Sequence, residues 1–413
     1  MDSLSPPVAR CPHFRISFSR PKGKPMPALR FERVEAAPTA SFIDTWKDLW
    51  KRCTGIQPSV QAECIIHWQR LFQPSSRIVW LLVLRGQRAV AGLPLIERTD
   101  TRLGRMWQLP VSSNVHAGDL LLDLQEEPEA SCRELARGLS QLGFGWIRME
   151  EVDLDAFRWQ HFLSAVRQES LAVAIGLPSP TALIDIGDDW AAYKQSWSRN
   201  HRSALKRSWK KLAGCGKVEI ECVTQAEDAV LTELMEQCFA LEDRGWKGAA
   251  GTSIARVPGL REYYLREAQI MRDRGHLHLW LLRLDGQIIA FEYCHVANGV
   301  CYSHKLSFDP DYQAYSPGKI LRGKQLESYF ADPQMKLLDT LGTMCRAKAA
   351  WATRVYRSTR LTLSTGNVWS RSTVEAYRQA QPWVRRLRTM RSPAPLPAPG
   401  AARYLESTDH SLA

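Results

Sequence analysis

Two side chains in neighbouring predicted strands are of types that transfer protons. Glu292 stands between Phe291 and Tyr293 in an apolar stretch, where a carboxylate is unusual, and His304 stands in the next such stretch. Burial raises the pKa of a carboxyl group toward neutrality, and imidazole titrates near neutral pH without tuning. Each is therefore a candidate general base; the alternatives are a solvent-facing strand glutamate and a hydrogen-bonded core histidine.

The turn between the two stretches predicts which candidate shares a face with which neighbour. The Asn-Gly pair at 298–299 is typical of a two-residue hairpin. If the register runs on from that turn, Glu292 lies opposite Lys305 and His304 points to the other face, because opposed residues share a face. We therefore expect Glu292 to face a cleft with Lys305 and to be the proton acceptor; a plain cross-strand ion pair is the alternative.

A phosphate site is predicted where the next helix begins. Ser316-Pro317 has a preferred N-cap residue followed by a preferred first helical residue. A helix start presents free backbone N–H groups and a positive dipole end, both of which attract phosphate. The run at 318–324 matches most of a P-loop, but Gln325 stands where Ser or Thr would bind magnesium. Nucleotide hydrolysis is therefore not expected.

These residues belong to a three-strand meander and helix at 275–330, and the meander has a counterpart earlier in the chain. Residues 80–87 read WLLVLRGQ and residues 280–287 read WLLRLDGQ, so six of eight positions match. Both segments continue into further predicted strands, which favours duplication over chance. Self-similarity at long period indicates tandem domains.

The composition fits two domains and anionic partners. The chain has 413 residues, of which 45% are hydrophobic, and its formal net charge is +12. That charge is typical of proteins that bind nucleic acid, membrane surfaces or phosphorylated ligands. Ten cysteines without a Cys-x-x-Cys motif, and no secretory signal, indicate reduced thiols and a cytoplasmic location. No apolar run is long enough to predict a spanning helix.

The order of strands and helices predicts a mixed α/β architecture (α+β mixed sheets) with two domains. A strand is predicted at 335–341 and a helix at 345–357, and a basic helix at 191–212 opens the second domain. The predicted segments are a disordered or draped one at 1–27, an N-terminal domain at 28–178, a C-terminal domain at 179–390 and a disordered tail at 391–413.

Four stretches in the second half carry a family resemblance. They are the basic helix before Gly216, residues 243–248, Lys305 through the run at 316–318, and Asp339 through Lys348 to Trp351. Together they resemble the GNAT acyltransferase superfamily, more narrowly its CelD-like (cellulose-biosynthesis-protein-like) branch, which is related to the FemAB-type peptidyl transferases. The resemblance implies two tandem GNAT-like domains, of which the second binds acyl-CoA and the first is a degenerate copy.

The chain departs from the family pattern at one place. Met344-Cys345 replaces an acidic pair, Ala347 replaces a tyrosine, and Gly342 stands one position early. If the acidic pair handles the acceptor amine in the family, this protein has a different acceptor or a weaker activity.

The resemblance also implies roles for individual residues. It places the acyl arm between two splayed strands, at 300–308 and 335–341, and the pyrophosphate at the helix start, where the alternative is a capped surface helix. It makes Tyr356, on the predicted helix, a proton donor to the thiolate, with helix packing as the alternative. The implied cofactor-binding residues are Ser316, Pro317, Gly318, Lys319 and Arg322, and the implied substrate-binding residues are Arg244, Trp246, Lys305 and Lys348.

The expected function is transfer of an acyl group from acyl-CoA to an amine, and exopolysaccharide or cell-envelope biosynthesis is the pathway that the family suggests. No metal is expected, because Cys294 and His295 are adjacent strand residues that point to opposite faces. Two alternatives remain: an aminoacyl-tRNA-dependent FemAB-like transferase, and a non-catalytic nucleic-acid-binding protein that uses the basic helix.

Overall fold

The computed structural model describes residues 27–35, 38–100, 104–112, 114–143 and 145–391. The segments predicted to be disordered, 1–27 and 391–413, lie outside the described residues except for their inner end residues. Within the described ranges, no helix combines the length and the apolar character needed to cross a membrane.

The strands of the described chain join into one 14-stranded sheet. They are β1 (Leu29–Val34), β2 (Ile78–Arg85), β3 (Arg88–Asp100), β4 (Gly104–Gln108), β5 (Leu121–Leu122), β6 (Trp146–Asp153), β7 (Val173–Ile175), β8 (Ser179–Asp185), β9 (Val218–Val223), β10 (Leu277–Leu284), β11 (Gln287–Ala297), β12 (Val300–Phe308), β13 (Leu337–Asp339) and β14 (Arg354–Ser364).

Helices connect most of these strands and cover the sheet. They are α1 (Ala40–Arg52), α2 (Ala62–Phe72), α3 (Pro128–Ser140), α4 (Phe157–Gln168), α5 (Trp190–Ser196), α6 (Arg199–Ala213), α7 (Asp228–Arg244), α8 (Trp246–Ala249), α9 (Leu260–Asp273), α10 (Pro317–Phe330), α11 (Arg346–Ala349) and α12 (Val368–Arg391). Short 3₁₀ turns lie at Pro58–Val60 and Pro310–Tyr315.

The sheet has the same pattern of pairing when followed inward from either edge. The first half-sheet runs β1-β2-β3-β4-β6-β14 and the second runs β9-β10-β11-β12-β13-β8. In each, three antiparallel pairs are followed by one parallel pair, β4·β6 or β12·β13, and then by one antiparallel pair. Strands β14 and β8 pair with each other and join the halves.

The sequence repeat occupies equivalent positions in the two half-sheets. Segment 80–87 covers most of β2 and its turn, and segment 280–287 covers most of β10 and its turn. Both turns use a glycine with positive φ, Gly86 at 63° and Gly286 at 83°, a conformation that glycine adopts without steric cost. The predicted fold class, a mixed α/β architecture, is confirmed, and the two half-sheets repeat one order of pairing.

Three hydrophobic cores hold the layers together. Helices α1 and α2 share a single core with α7 and α9 and with one face of β10 and β11, so the two halves of the chain pack on each other. Helices α3 and α4 pack on the first half-sheet, including its strand β14. Helices α5, α6 and α10 pack on the second half-sheet. Burial of Trp46, Trp68 and Trp80 explains much of the high tryptophan content as core packing.

Three predicted elements differ from the observed ones. The basic helix 191–212 is two helices, because Trp197 is extended and Ser198 caps α6 through the amide of His201. The predicted strand 335–341 is the three-residue β13. The predicted helix 345–357 is only α11 followed by the start of β14, where valine, tyrosine and threonine favour a strand that pairs on both sides.

Candidate functional site

Strands β12 and β13 part after three residue pairs. The pairs are Val300 with Leu337, Cys301 with Leu338 and Tyr302 with Asp339. Strand β13 then ends, whereas β12 continues to Phe308. A fork therefore opens in the second half-sheet at Tyr302 and Asp339. The family resemblance predicted two splayed strands at this place.

The start of α10 lies against the outer part of β12. A Cβ added to Gly318 would lie 3.3 Å from Leu306 Cδ2 and 3.4 Å from Phe308 Cδ1, so the helix start and the strand are in close contact. The predicted cofactor-binding residues Ser316, Pro317, Gly318 and Lys319 thus share one location beside the fork.

The helix start offers few free amides. Pro317 has no N–H, and the amides of Lys319 and Ile320 both donate to the Ser316 carbonyl oxygen, at 3.0 and 3.2 Å. Ser316 itself adopts a left-handed conformation with φ 52° and does not cap the helix with its side chain. The Gly318 amide and the exposed Lys319 side chain are therefore the donors that remain for an anion.

Arg322 lies apart from this group, in a buried ion pair. Its Nε donates to Glu292 Oε2 at 2.9 Å and its Nη2 to Oε1 at 2.6 Å, while Ser303 Oγ donates to Oε1 at 2.6 Å. Glu292 is fully buried and Arg322 is 7% exposed. This corrects two expectations, since Glu292 does not face a cleft and the Arg322 guanidinium group is held by Glu292 instead of facing a cofactor. The pair fixes α10 to β11.

The predicted register between β11 and β12 is wrong beyond its first four pairs. Pairing follows the expected register from the turn to Cys294 with Ser303, but a bulge then shifts it, so that Lys305 lies opposite Tyr293. A bulge inserts one extra residue into one strand, here His304. His304 consequently shares a face with Lys305, its ring centroid 4.0 Å from that of His295 and 6.2 Å from that of Tyr293.

His304 and Lys305 both lie in low-polarity surroundings. Burial lowers the pKa of His304 to about 3, with a further contribution from His116, so its imidazole is neutral near pH 7. Burial also lowers the pKa of Lys305 to about 8, and its ammonium group lies 5.2 Å above the Tyr264 ring. A proton acceptor with a pKa near 3 is a weak base, which disfavours His304 in that role.

Asp339 stands at the fork with a tyrosine beside it. The Tyr356 hydroxyl donates to Asp339 Oδ2 at 3.2 Å, and the Leu341 amide donates to Oδ1 at 2.8 Å. Burial raises the pKa of Asp339 to about 7, although these hydrogen bonds act to lower it. Tyr356 lies on β14, whereas the sequence predicted a helix at this position. Burial raises the pKa of the Tyr356 hydroxyl, and the nearby Asp339 raises it further.

The loop after β13 holds the remaining predicted substrate-binding lysine. Lys348 Nζ donates to the carbonyl oxygens of Leu341 and Thr343, and burial lowers its pKa. Leu341 has φ 47°, a conformation that costs a non-glycine residue on the order of 1 kcal/mol or more. The left-handed turn brings the Leu341 amide to Asp339, and Lys348 stabilises the turn through the two carbonyl oxygens.

Arg244 and Trp246 lie near the outer end of β12. Arg244 Nη2 is 2.7 Å from Oδ2 of the buried Asp309, which follows the last residue of that strand. Trp246 begins α8 and is 74% exposed, so it is one of the large apolar side chains that lie open to solvent. Both residues therefore lie at the same end of β12 as the start of α10.

Glu267 is a further buried carboxyl group, which was not singled out in the sequence. Glu267 accepts hydrogen bonds from the Tyr263 hydroxyl at 2.8 Å and the Tyr293 hydroxyl at 3.2 Å, and burial raises its pKa to about 7. Tyr293 in turn is 2.9 Å from His295 Nε2. A carboxylate four residues after a tyrosine on the apolar face of a predicted helix was the available signal. The sequence also carried a signal for Asp339, because this residue belongs to the family pattern described above.

Comparison with known proteins places this site in a recognised domain type. Residues 199–349 match the acetyltransferase (GNAT) domain family, a range that includes the fork and the start of α10. No curated protein matches the chain.

Solved structures align with most of the chain. FemX aligns with a TM-score of 0.54 and 11% identity over 80% of this chain and 96% of its own. A conserved protein of unknown function from Bacteroides thetaiotaomicron aligns with a TM-score of 0.50 and 12% identity, over 81% and 100%. A tandem GNAT protein from the clavulanic acid biosynthesis pathway gives 0.42 and 13%, over 81% and 98%. The family match supports a GNAT-type acyltransferase, and the FemX likeness shows the fold.

Proposed function

We propose that this protein is an N-acyltransferase that moves an acyl group from acyl-CoA to an amine. The observation that carries the proposal is Asp339, a buried carboxyl group with a pKa near 7 at the point where β12 and β13 part. A GNAT-type domain match over 199–349 supports the reaction class. The narrower CelD-like assignment is part of the proposal and rests on the four sequence stretches described above.

The residues present fit the donor beside the fork. Gly318 lacks a side chain where the helix start packs on Leu306 and Phe308, so the helix start can lie close against β12 beside the fork. The Gly318 amide and Lys319 would hold the donor's phosphates, with Ser316 and Pro317 shaping the turn. Arg322 leaves the predicted cofactor-binding set, because Glu292 and Ser303 occupy its guanidinium group. Acyl-CoA supplies an activated thioester carbonyl.

Asp339 and Tyr356 form a short path for the proton that the reaction must move. As the amine nitrogen bonds to the acyl carbon, ionised Asp339 takes a proton from that nitrogen. When the carbon–sulfur bond breaks, Tyr356 gives its proton to the sulfur and receives the one on Asp339 through their hydrogen bond. The net transfer runs from a carboxyl group near pKa 7 to a thiolate whose conjugate acid has a pKa of ~8.5, so it is favourable.

The acceptor would approach from the outer end of β12. Lys305, on the same face as Tyr302, and the exposed Trp246 are the proposed acceptor-binding groups, and Arg244 positions the loop that carries Trp246. Lys348 contributes by fixing the turn at Leu341. The replaced acidic pair, Met344-Cys345, directly precedes α11 in this region, which supports a different acceptor from that of the family.

The test combines binding and turnover. Titration calorimetry with CoA and with acetyl-CoA should show binding to the full-length protein, and thiol release in the presence of a panel of amines should show transfer. Absence of CoA binding together with tRNA binding would favour the aminoacyl-tRNA-dependent alternative. Salt-sensitive duplex binding without any transfer would favour the non-catalytic one.

Three further assignments belong to the proposal. The two units are assigned to 28–178 and 179–390, and the boundary falls directly before β8, the strand that completes the second half-sheet. The location is taken as cytoplasmic, which the cysteine pattern supports. The pathway, exopolysaccharide or cell-envelope biosynthesis, rests on the sequence resemblance alone.

A further inference from the structure

A groove of about 440 Å³ lies between the paired helices α5 and α6 and one side of α10. It is distinct from the fork, because it lies over the middle of α10 rather than at its start. Its lining residues recur at helical spacing on both walls, so it runs lengthwise between the helices. The α10 wall, from Ile320 to Glu327, corresponds to roughly 10 Å of helix.

The lining is mainly apolar and aromatic. Trp197, Trp209 and Leu205 come from α6 and the break before it, and they face Ile320 and Gly323 on α10. A Cβ added to Gly323 would lie 3.2 Å from Leu205 Cδ2, so the glycine sets the separation of the two walls there. Trp209 is 37% exposed, which leaves a large apolar surface open to solvent at the groove.

Two of the groove's tryptophan rings have a lysine over one face, which reduces the surface available for a stacked base. The Lys324 ammonium group lies 5.2 Å above the Trp209 ring, and that of Lys194 lies 5.2 Å above the Trp190 ring. A nucleobase binds such a wall by stacking on a free ring face, and here a lysine covers one face of each of these two rings. An alkyl chain needs only apolar contact with ring edges and aliphatic side chains, which the groove supplies.

The rim of the groove is positively charged. Lys194, Lys206 and Lys324 lie along it with one carboxylate, Glu327, which pairs with Lys324 at 2.7 Å. Among the described residues, no carboxylate lies within ion-pair distance of Lys206, which is exposed. The Arg202 guanidinium group is held by backbone carbonyl oxygens, since it donates to that of Gln195 at 2.7 Å and to that of Trp197. An anionic group at the rim would therefore meet Lys206.

We propose that this groove binds a single-chain anionic lipid, with its alkyl chain between α6 and α10 and its phosphate or carboxylate head at Lys206. The apolar lining matches the alkyl chain, and the cationic rim matches the anionic head. The site is independent of the proposed acyl transfer, since none of its residues lies at the fork.

Titration calorimetry of the full-length protein with monomeric dodecyl phosphate tests the proposal. Octyl, decyl and dodecyl phosphates should bind with affinity rising by about fourfold per methylene until the groove is filled. Dodecanol should bind more weakly than dodecyl phosphate, and inorganic phosphate should not bind measurably. An affinity that does not depend on chain length would overturn the proposal, as would tRNA or nucleotide binding that dodecyl phosphate fails to displace.

Two variants locate the site, each with a matched control. Lys206→Glu should weaken dodecyl phosphate binding by at least about fivefold, while Lys210→Glu, on the same helix and exposed but outside the groove, should not. Trp209→Ala should weaken binding of all chain lengths, while Trp369→Ala, an exposed tryptophan on α12, should not. Equal effects of groove and control substitutions would place the lipid elsewhere and refute the assignment.

Discussion

Of the buried carboxyl groups in the second half, Glu242 and Asp309 pair with Lys247 and Arg244, and the other three lie in three different settings. Glu292 is held by a guanidinium group in a bidentate pair, and Glu267 accepts two tyrosine hydroxyls inside the shared core. Asp339 has one tyrosine and one backbone amide, and it lies where the sheet opens. Buried ion pairs and closed hydrogen-bond groups usually serve structure. The setting therefore selects Asp339 for proton transfer.

Asp339→Asn should lower turnover by about 10²–10⁴-fold with CoA affinity unchanged, because the amide cannot accept the amine proton. The wild-type rate should fall about tenfold per pH unit below pH 7, since only the ionised carboxyl group is a base and its pKa is about 7. The variant should lose this dependence. Initial rates measured from pH 5 to 9 check both points.

Asp185→Asn is a suitable control, because Asp185 is an exposed carboxylate that pairs with Arg354 on the same central strands. It should keep the wild-type rate and pH profile. If the Asp339→Asn variant still lost activity below pH 7, another group would be responsible for that loss. Glu267 would be the next candidate, because its pKa is also about 7.

Residue-scale prediction from the sequence was limited by one inserted residue. The turn at 298–299 correctly predicted the pairing of Ala297 with Val300, but the bulge at His304 lies six residues away and leaves no mark in the apolar pattern. Because strand side chains alternate with period two, one extra residue moved Lys305 to the other face. The ion pair expected for Glu292 with Lys305 is made instead by Arg322, which is distant in sequence.

At the scale of elements, α10 is fixed to the sheet by polar as well as apolar contacts. The Glu292–Arg322 pair lies between the helix and β11, flanked by the buried Ile320, Leu321 and Leu326. Taking two charges out of water is costly, and removal of one partner leaves the other unpaired. The orientation of the whole helix, including its start at the fork, therefore depends on this pair.

Arg322→Met should reduce the free energy of unfolding by about 3–5 kcal/mol, because Glu292 would remain as an uncompensated buried charge. Adding Glu292→Gln to that variant should recover much of the loss, since the amide carries no charge. Urea denaturation of the single and double variants measures the difference. Additive losses in the double variant would show that the two groups are not coupled.

Gly318→Asp should abolish CoA binding in a folded protein, because the added carboxylate would repel phosphates at the helix start. Gly318→Ala separates charge from size, since its Cβ meets only the ends of the Leu306 and Phe308 side chains. The alanine variant should keep most of the affinity in calorimetry. Retained affinity in a folded Asp variant would remove the helix start from the donor site.

The sequence correctly predicted those strands and helices whose local residue pattern was strong. The meander and the helix that follows it within 275–330 occur as expected, because turn glycines and apolar strands specify them locally, although Ser316 does not cap that helix with its side chain. The segment at 345–357 was mistaken for a helix, because its basic and alanine residues favour one. Pairing of β14 with β6 and β8, which is set by distant parts of the chain, overrides that preference.

At the scale of the whole molecule, the two units are not separable pieces of sheet. Strand β14 completes the first half-sheet but follows the second in sequence, and α1, α2, α7 and α9 share one core. Composition and the repeat predicted two units. Composition and the repeat did not indicate that β14 belongs to the first half-sheet, because strand order depends on tertiary pairing.

The described chain should therefore unfold as one unit. In urea, far-ultraviolet circular dichroism and tryptophan fluorescence should give coincident transitions, because neither half keeps its sheet without the other. A fragment of residues 28–178 should fail to fold alone, since β6 would lack β14 as a partner. Two resolved transitions, or a stably folded fragment, would show that the halves are independent.

The place of β14 in the sheet also imposes a delay during synthesis. Strand β6 ends at Asp153, and its partner begins only at Arg354, roughly 200 residues later. Ribosomes add about 5–20 residues per second, so the edge of β6 waits on the order of 10–40 s for its neighbour. An unpaired edge is a template for aggregation, and charged side chains such as Arg148, Glu150 and Glu151 oppose it. Faster translation of the second half would shorten this exposure and raise the soluble yield.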